Sequence, residues 1–87
     1  MTPQWYWLSF ADPSKPRGTQ FLGASIVLAS DFIGAVKKAH ALGINPGGEI
    51  RGYPMPEAPE KRHQHRLLLP GSKDLEEIGV VAATPDN

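Results

Sequence analysis

The clearest pattern of hydrophobic and polar positions in the chain is helical and begins near Ser30. Apolar side chains recur there at three- and four-residue spacing. The resulting stripe consists of Phe32, Ile33, Val36, Ala39 and His40. Ser30 is the predicted N-cap, because its hydroxyl can accept a hydrogen bond from a backbone N–H group of the first turn. Gly43 is predicted to follow the C-cap, since glycine adopts left-handed backbone geometry without steric cost. Pro46 prevents the helix from continuing.

Two segments before this helix alternate in the manner of strands. Residues 5–10 are aromatic and apolar on both faces, with Trp5 and Trp7 on one face. This strand is therefore predicted to be central in its sheet or to be covered on one side by a partner. Residues 21–29 form the second predicted strand, and a loop with two prolines and a glycine joins the two. Such a connection favours an antiparallel pair. One face of the second strand is expected to carry Leu22, Ala24, Ile26 and Leu28.

The pattern after the helix predicts shorter elements. Residues 49–53 form a third strand, which prolines end, and residues 54–65 form an exposed, proline-rich loop. Residues 66–69 form a short fourth strand or an apolar anchor. Ser72 caps a second helix that Gly79 ends. Residues 80–83 are expected to pack on the body or add an edge strand, and residues 84–87 to fray.

These elements predict one small α+β domain over residues 1–87. An antiparallel sheet of three to four strands, in the order β-β-α-β-(β)-α, carries the main helix on one face. We expect the core to join the named face of the second strand to the helical stripe. Its members would be Leu22, Ala24, Ile26, Leu28, Phe32, Ile33, Val36 and Ala39.

Composition excludes several classes of function. Nine lysines and arginines balance nine acidic residues, which argues against a broad surface for nucleic acid or a membrane. The chain has no cysteine, so disulfides, cysteine-based zinc sites and thiol catalysis are excluded. No segment resembles a signal peptide, and no apolar run is long enough to span a membrane, so a cytoplasmic location is expected.

Candidate chemistry is sparse. His40, His63 and His65 could together suggest a metal site, but Lys61, Arg62 and Arg66 surround the last two histidines with positive charge, so no metal and no cofactor are expected. The basic segment 61–66 is interpreted as a solvated loop rather than a nucleic-acid contact. No serine lies in a G-x-S-x-G context, and no spacing pairs two carboxylates on one face. The sequence therefore predicts a protein that is not an enzyme.

Three segments carry a resemblance to a known group of proteins. WYWLSFADP, FLGASIV and DFIGAVKKAHALGINPGGEI, within residues 5–55, resemble small uncharacterised proteins of bacteria and their phages. That group has no established activity, so no catalytic residues transfer to this chain. The resemblance implies a compact accessory protein that acts by binding a host protein or by sequestering a small molecule.

Two hypotheses for binding follow. The first is protein–protein contact, either self-association or capture of a host factor, because the first strand is aromatic and a chain of 87 residues has a thin core. The second is sequestration of an anionic, nucleotide-like molecule between an aromatic wall, a guanidinium and glycine backbone N–H groups. The residues of that site would be Trp5, Trp7, Asn45, Gly47, Gly48, Arg51 and Tyr53. It requires the third strand to lie beside the first.

Overall fold

The structure, a computed structural model, describes residues 2–78 apart from the side chains of Glu76 and Glu77. Its strands are β1 (Gln4–Ala11), β2 (Phe21–Ala29), β3 (Glu49–Pro54) and β4 (Leu67–Leu68). Its helices are α1 (Phe32–Ala41) and α2 (Lys73–Ile78), with a short 3-10 turn at Lys61–His63. The predictions for residues 79–87 lie outside the described residues.

The four strands form one antiparallel sheet in the order β3-β1-β2-β4. The α+β class and the central position of β1 are confirmed, and the element order differs from the prediction only by the 3-10 turn. The backbone N–H of Asp12 donates to the carbonyl of Gln20 at 2.8 Å, which closes the loop between β1 and β2. That loop length suits an antiparallel pair.

A β-bulge in β2 changes which side chains face α1. Phe10 lies opposite Gly23, whereas Ala11 lies opposite Phe21, so Leu22 is an extra residue. Gly23 has φ +134°, and a Cβ there would lie 2.9 Å from the carbonyl oxygen of Leu68. The bulge puts Leu22 in the cluster under α1 and Phe21 in the cluster on the opposite face. The prediction that Leu22 shares a face with Ala24 and Ile26 is therefore wrong.

The helix packs on a different strand face from the predicted one. It covers the β1 face that carries Leu8 and Phe10, while Ala24 and Ile26 lie on the far side of the sheet. The buried core on the α1 side consists of Tyr6, Leu8, Phe10, Val27, Ala35 and Ala39. The small side chains of Ala35 and Ala39 allow the helix to lie close to these bulky strand residues.

This orientation of α1 corrects two members of the predicted stripe. Ile33 is 59% exposed, and His40 is also exposed. The packed stripe instead consists of Phe32, Ala35, Val36 and Ala39. Ala35 has the correct helical spacing, but its small side chain gives a weak signal in a hydrophobic pattern.

Both ends of α1 are held by hydrogen bonds. Asp31, rather than the predicted Ser30, is the N-cap: its backbone is extended, and its Oδ1 accepts from the N–H of Gly34 at 2.7 Å. Gly43 has φ +75° and donates to the carbonyl of His40 at 3.1 Å. Ile44 donates to the carbonyl of Ala39 at 2.9 Å, which completes a Schellman motif. The predicted role of Gly43 is confirmed.

A second apolar layer lies on the face of the sheet opposite α1. Trp7, Ala24, Ile26, Leu68 and Leu75 are buried there. The half-buried Met55 and Ile78 pack against this cluster, so segments that follow β3 cover the second face. Burial on both faces explains why the side chains of β1 are bulky on both sides.

Candidate functional site

The strand pairing required by the nucleotide hypothesis is present. β3 lies antiparallel to β1, with Tyr53 opposite Trp7 and Arg51 opposite Ser9. Residues opposite each other in an antiparallel pair point to the same face. Trp7, Arg51 and Tyr53 therefore share one face of the sheet.

The two tryptophans do not form an open aromatic wall. Trp7 is only 1% exposed, because residues after β3 cover it. Trp5 is half-buried, and its ring centroid lies 5.2 Å from that of His65. Neither ring therefore offers a full face for stacking on a ligand.

The glycine turn lies at the other end of the sheet from Trp5. Gly48 precedes Glu49, whose partner is Ala11, and Ala11 lies about 20 Å along β1 from Trp5 at the usual rise of a strand. Asn45 Oδ1 accepts from the N–H of Gly47 at 2.8 Å, so its side chain stabilises the turn. The structure does not bring this turn and Trp5 together.

Arg51 lines a small cleft beside the turn between β1 and β2. The volume of this cleft, about 30 Å³, is about that of one water molecule in the liquid. Glu49 is a further lining residue, so a carboxylate shares the cleft with the guanidinium. The remaining lining residues are Ser9, Ala11, Pro13 and Gln20. The cleft has no room for a nucleobase.

A larger cleft lies against the segment that follows β3. It has a volume of about 270 Å³. Its walls consist of Met55, Pro56, Glu57, Ala58, Pro59, Glu60, His63 and Ile78. We call it the His63 cleft. The predicted exposed loop is exposed over most of its length but folds back at its end and buries His63.

Local hydrogen bonds hold this segment in place. The N–H of His63 donates to the carbonyl of Glu60 at 2.9 Å, which closes the 3-10 turn. Gln64 Nε2 donates to the carbonyl of Pro59 at 3.0 Å. The chain then returns to the sheet, where the N–H of His65 donates to the carbonyl of Ile26 at 2.7 Å. These contacts position the imidazole of His63 at the cleft.

The imidazole of His63 is the least satisfied buried polar group of the cleft. The residue is 2% exposed, and neither ring nitrogen has a hydrogen-bond partner among the described residues. Asp74 Oδ1 lies 3.9 Å from Nδ1, which is beyond hydrogen-bond distance, and Asp74 Oδ2 lies 3.4 Å from Arg66 Nη2. A buried polar group without a partner costs about 1–3 kcal/mol. Both nitrogens are also sealed from solvent, so the ring offers the cleft a packing surface and no accessible hydrogen-bonding group.

Sequence reasoning missed this site. The pattern placed His63 in a charged loop next to Lys61 and Arg62, where solvent exposure is the usual result. Only proline-rich apolar residues just upstream, Met55 and Pro56 among them, hinted that the segment could cover the sheet. The neighbours of His63 include Ile78, which lines the same cleft, and Asp74, whose Oδ1 lies 3.9 Å from Nδ1; both belong to α2, which follows His63 in the chain.

The three histidines lie in separate environments. His40 is exposed on α1, His63 lines its cleft and His65 lies beside Trp5. Among the described side chains, which do not include those of Glu76 and Glu77, no three of histidine, aspartate or glutamate form a group that could hold a metal ion.

His65 predicts a pH dependence of stability. Its φ is +56°. His65 is exposed as a whole, but partial desolvation of its ring, followed by the positive charge of Lys38, lowers its pKa below the ordinary value of 6.5. Folding therefore disfavours protonation of this ring. The contribution of neutral His65 to stability is therefore complete above about pH 6.5, the ordinary pKa. It is lost as the pH falls through the lower pKa of the folded state. We expect the melting temperature to fall between pH 7.5 and pH 5 in thermal unfolding followed by circular dichroism.

The matched control for this prediction is His65→Asn. Asparagine tolerates positive φ but does not titrate in this range. The melting temperature of the variant should fall less over the same pH interval. Equal falls in the two proteins would show that His65 is not responsible.

Neither the search for membrane-spanning helices nor the comparison with known proteins assigns a function to this site. Within the described residues, no helix is long and apolar enough to cross a membrane. Compared with models of protein families, with curated proteins and with solved structures, the chain gives no significant match.

Proposed function

We propose that the protein is a non-enzymatic binding protein that acts by protein–protein contact, through addition of a strand at the outer edge of β3. One observation carries this proposal. β3 is an edge strand, and five of its six residues are exposed, with Tyr53 43% exposed. Among the described residues, no strand pairs with its outer edge. An unpaired edge is a template for another chain.

The phase of the β1–β3 ladder identifies the backbone groups available at this edge. The N–H of Met55 donates to the carbonyl of Trp5 at 2.7 Å, so Trp5 and Met55 form a hydrogen-bonded pair. The next pair along the ladder, Tyr6 and Pro54, is therefore of the type without direct hydrogen bonds. Alternation then directs the backbone groups of Arg51 and Tyr53 toward β1. Those of Ile50 and Gly52 point outward, where a further strand can pair with them.

The charges on β3 favour a second copy of this chain as the partner. In an antiparallel pairing with a two-fold axis at Ile50, the outward backbone groups of the two Ile50 residues bond each other. Glu49 of each copy then lies opposite Arg51 of the other copy. That position lacks direct hydrogen bonds, so the side chains are closest there. Two pairs of opposite charge form across the axis, each worth about 0.2–1 kcal/mol.

A charge swap tests this arrangement. We expect the native protein to dimerise at micromolar concentration in sedimentation velocity, and Arg51→Glu to weaken the dimer about tenfold or more, because it places like charges opposite each other. Adding Glu49→Arg to Arg51→Glu should restore the dimer. Lys37→Glu, the same charge change at an exposed position of α1, is the control.

The outcomes of this test are distinct. A strictly monomeric native protein contradicts self-association at β3. Equal weakening by Arg51→Glu and Lys37→Glu contradicts the proposed register, because the effect would then follow net charge alone.

A second proposal, capture of an anionic nucleotide-like molecule, is favoured by the exposure of Arg51 and Tyr53 on one face. Calorimetry with linear and cyclic nucleotides tests it. Heat of binding that is lost in Arg51→Ala supports this proposal, and an absence of heat for every nucleotide argues against it.

A further inference from the structure

We propose that residues 79–84, which follow α2, add as an antiparallel strand to the outer edge of β3 in the same molecule and compete there with a second copy. The inference rests on the proposed pairing at β3 and names its regulation. The segment lies outside the described residues. Three features support its place at β3: the point from which it starts, the backbone groups that β3 offers and its own sequence.

The described chain ends beside the C-terminal end of β3. Ile78, the last residue of α2, lines the same cleft as Met55, which directly follows β3. Both side chains pack against the apolar cluster on the face of the sheet opposite α1. Residue 79 therefore starts where a strand antiparallel to β3 has to begin. It is a glycine, which adopts the backbone angles needed to turn after a helix.

This starting point favours one register. Residues opposite each other in an antiparallel pair share a face, and Ile78 and Met55 pack on the same face. With Ile78 opposite Met55, residues 79–83 run along residues 50–54 in the reverse direction. The distance covered is about 17 Å at the usual rise of a strand, so the segment is long enough to reach Ile50. Pro85 then ends the pairing, because it has no N–H to donate.

This register uses the backbone groups that β3 leaves open. Ile50 and Gly52 direct theirs away from β1, and they lie opposite Ala83 and Val81. Each of these two pairs is of the type that exchanges hydrogen bonds in both directions. The proposed dimer uses the same groups, with Ile50 on its axis. One β3 edge can therefore bind the segment or a second copy, but not both.

The side chains of the segment suit this edge. They carry no charge, and two of them are valines, which favour strands. A Cβ on Gly52 would lie 2.9 Å from Cε1 of Phe32, so the ring of Phe32 lies over that position on the α1 face. Val81, opposite Gly52, therefore has an aromatic ring to pack against. Val80 lies opposite Tyr53, whose exposed fraction is 43%, and covers part of it.

The competition has a measurable size. A dimer forms only from two copies whose β3 edges are both free, so its apparent dissociation constant varies as the inverse square of the free fraction. A segment that occupies about two thirds of the edges weakens the dimer about ninefold. Releasing the segment should therefore tighten the dimer by about this factor.

Two proline variants of the full chain test the competition by sedimentation velocity. In the proposed register the N–H of Val81 bonds the carbonyl of Gly52, whereas the N–H of Ala82 points away from β3. Val81→Pro should release the segment and tighten the dimer about fivefold to tenfold. Ala82→Pro is the matched control and should leave the dissociation constant unchanged, because an edge strand tolerates proline where the N–H faces solvent.

A second measurement does not depend on dimerisation. In Arg51→Glu, which weakens the dimer, amide hydrogen exchange is followed by NMR at a concentration at which the chain is monomeric. The amides of Ile50 and Gly52 should exchange about threefold faster once Val81→Pro is added, because the segment no longer covers them. Adding Ala82→Pro should leave both exchange rates unchanged.

The outcomes separate this strand from the dimer. Faster exchange after Val81→Pro in a chain that never dimerises supports the strand and contradicts the pairing of two copies. Unchanged exchange at Ile50 and Gly52 overturns the strand, whether or not the native protein dimerises. Equal effects of Val81→Pro and Ala82→Pro overturn it as well, since only one of the two N–H groups faces β3 in the proposed register.

Discussion

Replacing Gly48 by alanine is expected to destabilise the fold by about 3–5 kcal/mol. Gly48 has φ +79°, a conformation that L side chains rarely adopt. Its Cβ would also overlap the carbonyl oxygen of Ala11 and lie 3.2 Å from Leu22 Cδ1. A backbone carbonyl within the sheet cannot move aside as the end of a flexible side chain can. The measurement is urea unfolding at 25 °C followed by far-ultraviolet circular dichroism.

Gly47→Ala is the matched control for this prediction. Gly47 has φ +94°, but a Cβ there would meet nothing within 4 Å. The strain of the backbone alone should cost about 1–2 kcal/mol. Gly43→Ala, with φ +75° and open space around it, should cost about 1 kcal/mol. Equal losses at Gly47 and Gly48 would contradict the contact with Ala11.

Trp7→Ala is expected to cost about 3–5 kcal/mol, which leaves a small domain barely folded. Trp7 is 1% exposed and packs in the cluster with Ile26, Leu68 and Leu75. Truncation removes the largest fully buried side chain and leaves a cavity between the sheet and the segments that cover it. The same unfolding experiment measures the effect.

Two further variants show whether this cost comes from burial. Trp5→Ala should cost less than half as much, because Trp5 is only half-buried. Trp7→Phe should be the mildest change at position 7, since it keeps most of the apolar volume and removes an Nε1–H group that is buried without a hydrogen-bond partner among the described residues. Similar losses of unfolding free energy in Trp5→Ala and Trp7→Ala would show that the cost at position 7 does not come from burial.

The nucleotide site shows how far the sequence could predict a binding surface. Alternation placed Arg51 and Tyr53 on one face of β3 and Trp7 on one face of β1, but it could not show that the two faces coincide. The register between β1 and β3 decides this. Alternation also could not indicate that the residues after β3 would cover that face and bury Trp7. Burial depends on contacts with Leu68 and Leu75, which are distant in the chain, and no local pattern reports them.

The His63 cleft was beyond sequence reasoning for the same physical reason. A histidine between charged residues is usually exposed, and the composition of residues 61–66 supports that interpretation. Its burial requires the 3-10 turn, the return of the chain to β2 at His65 and the packing of α2. Each of these is a tertiary contact.

The sequence by itself determined the local elements of this protein. The bounds of β2, the end of α1 at Gly43 and the presence of one sheet and one main helix follow from alternation, helical spacing and turn residues, which act over a few positions. The tertiary structure alone decided which faces meet. The bulge at Leu22 moves Phe21 and Leu22 to the faces opposite those that alternation predicts, because one inserted residue exchanges the two faces of the strand. A strand period of two residues cannot predict a single inserted residue.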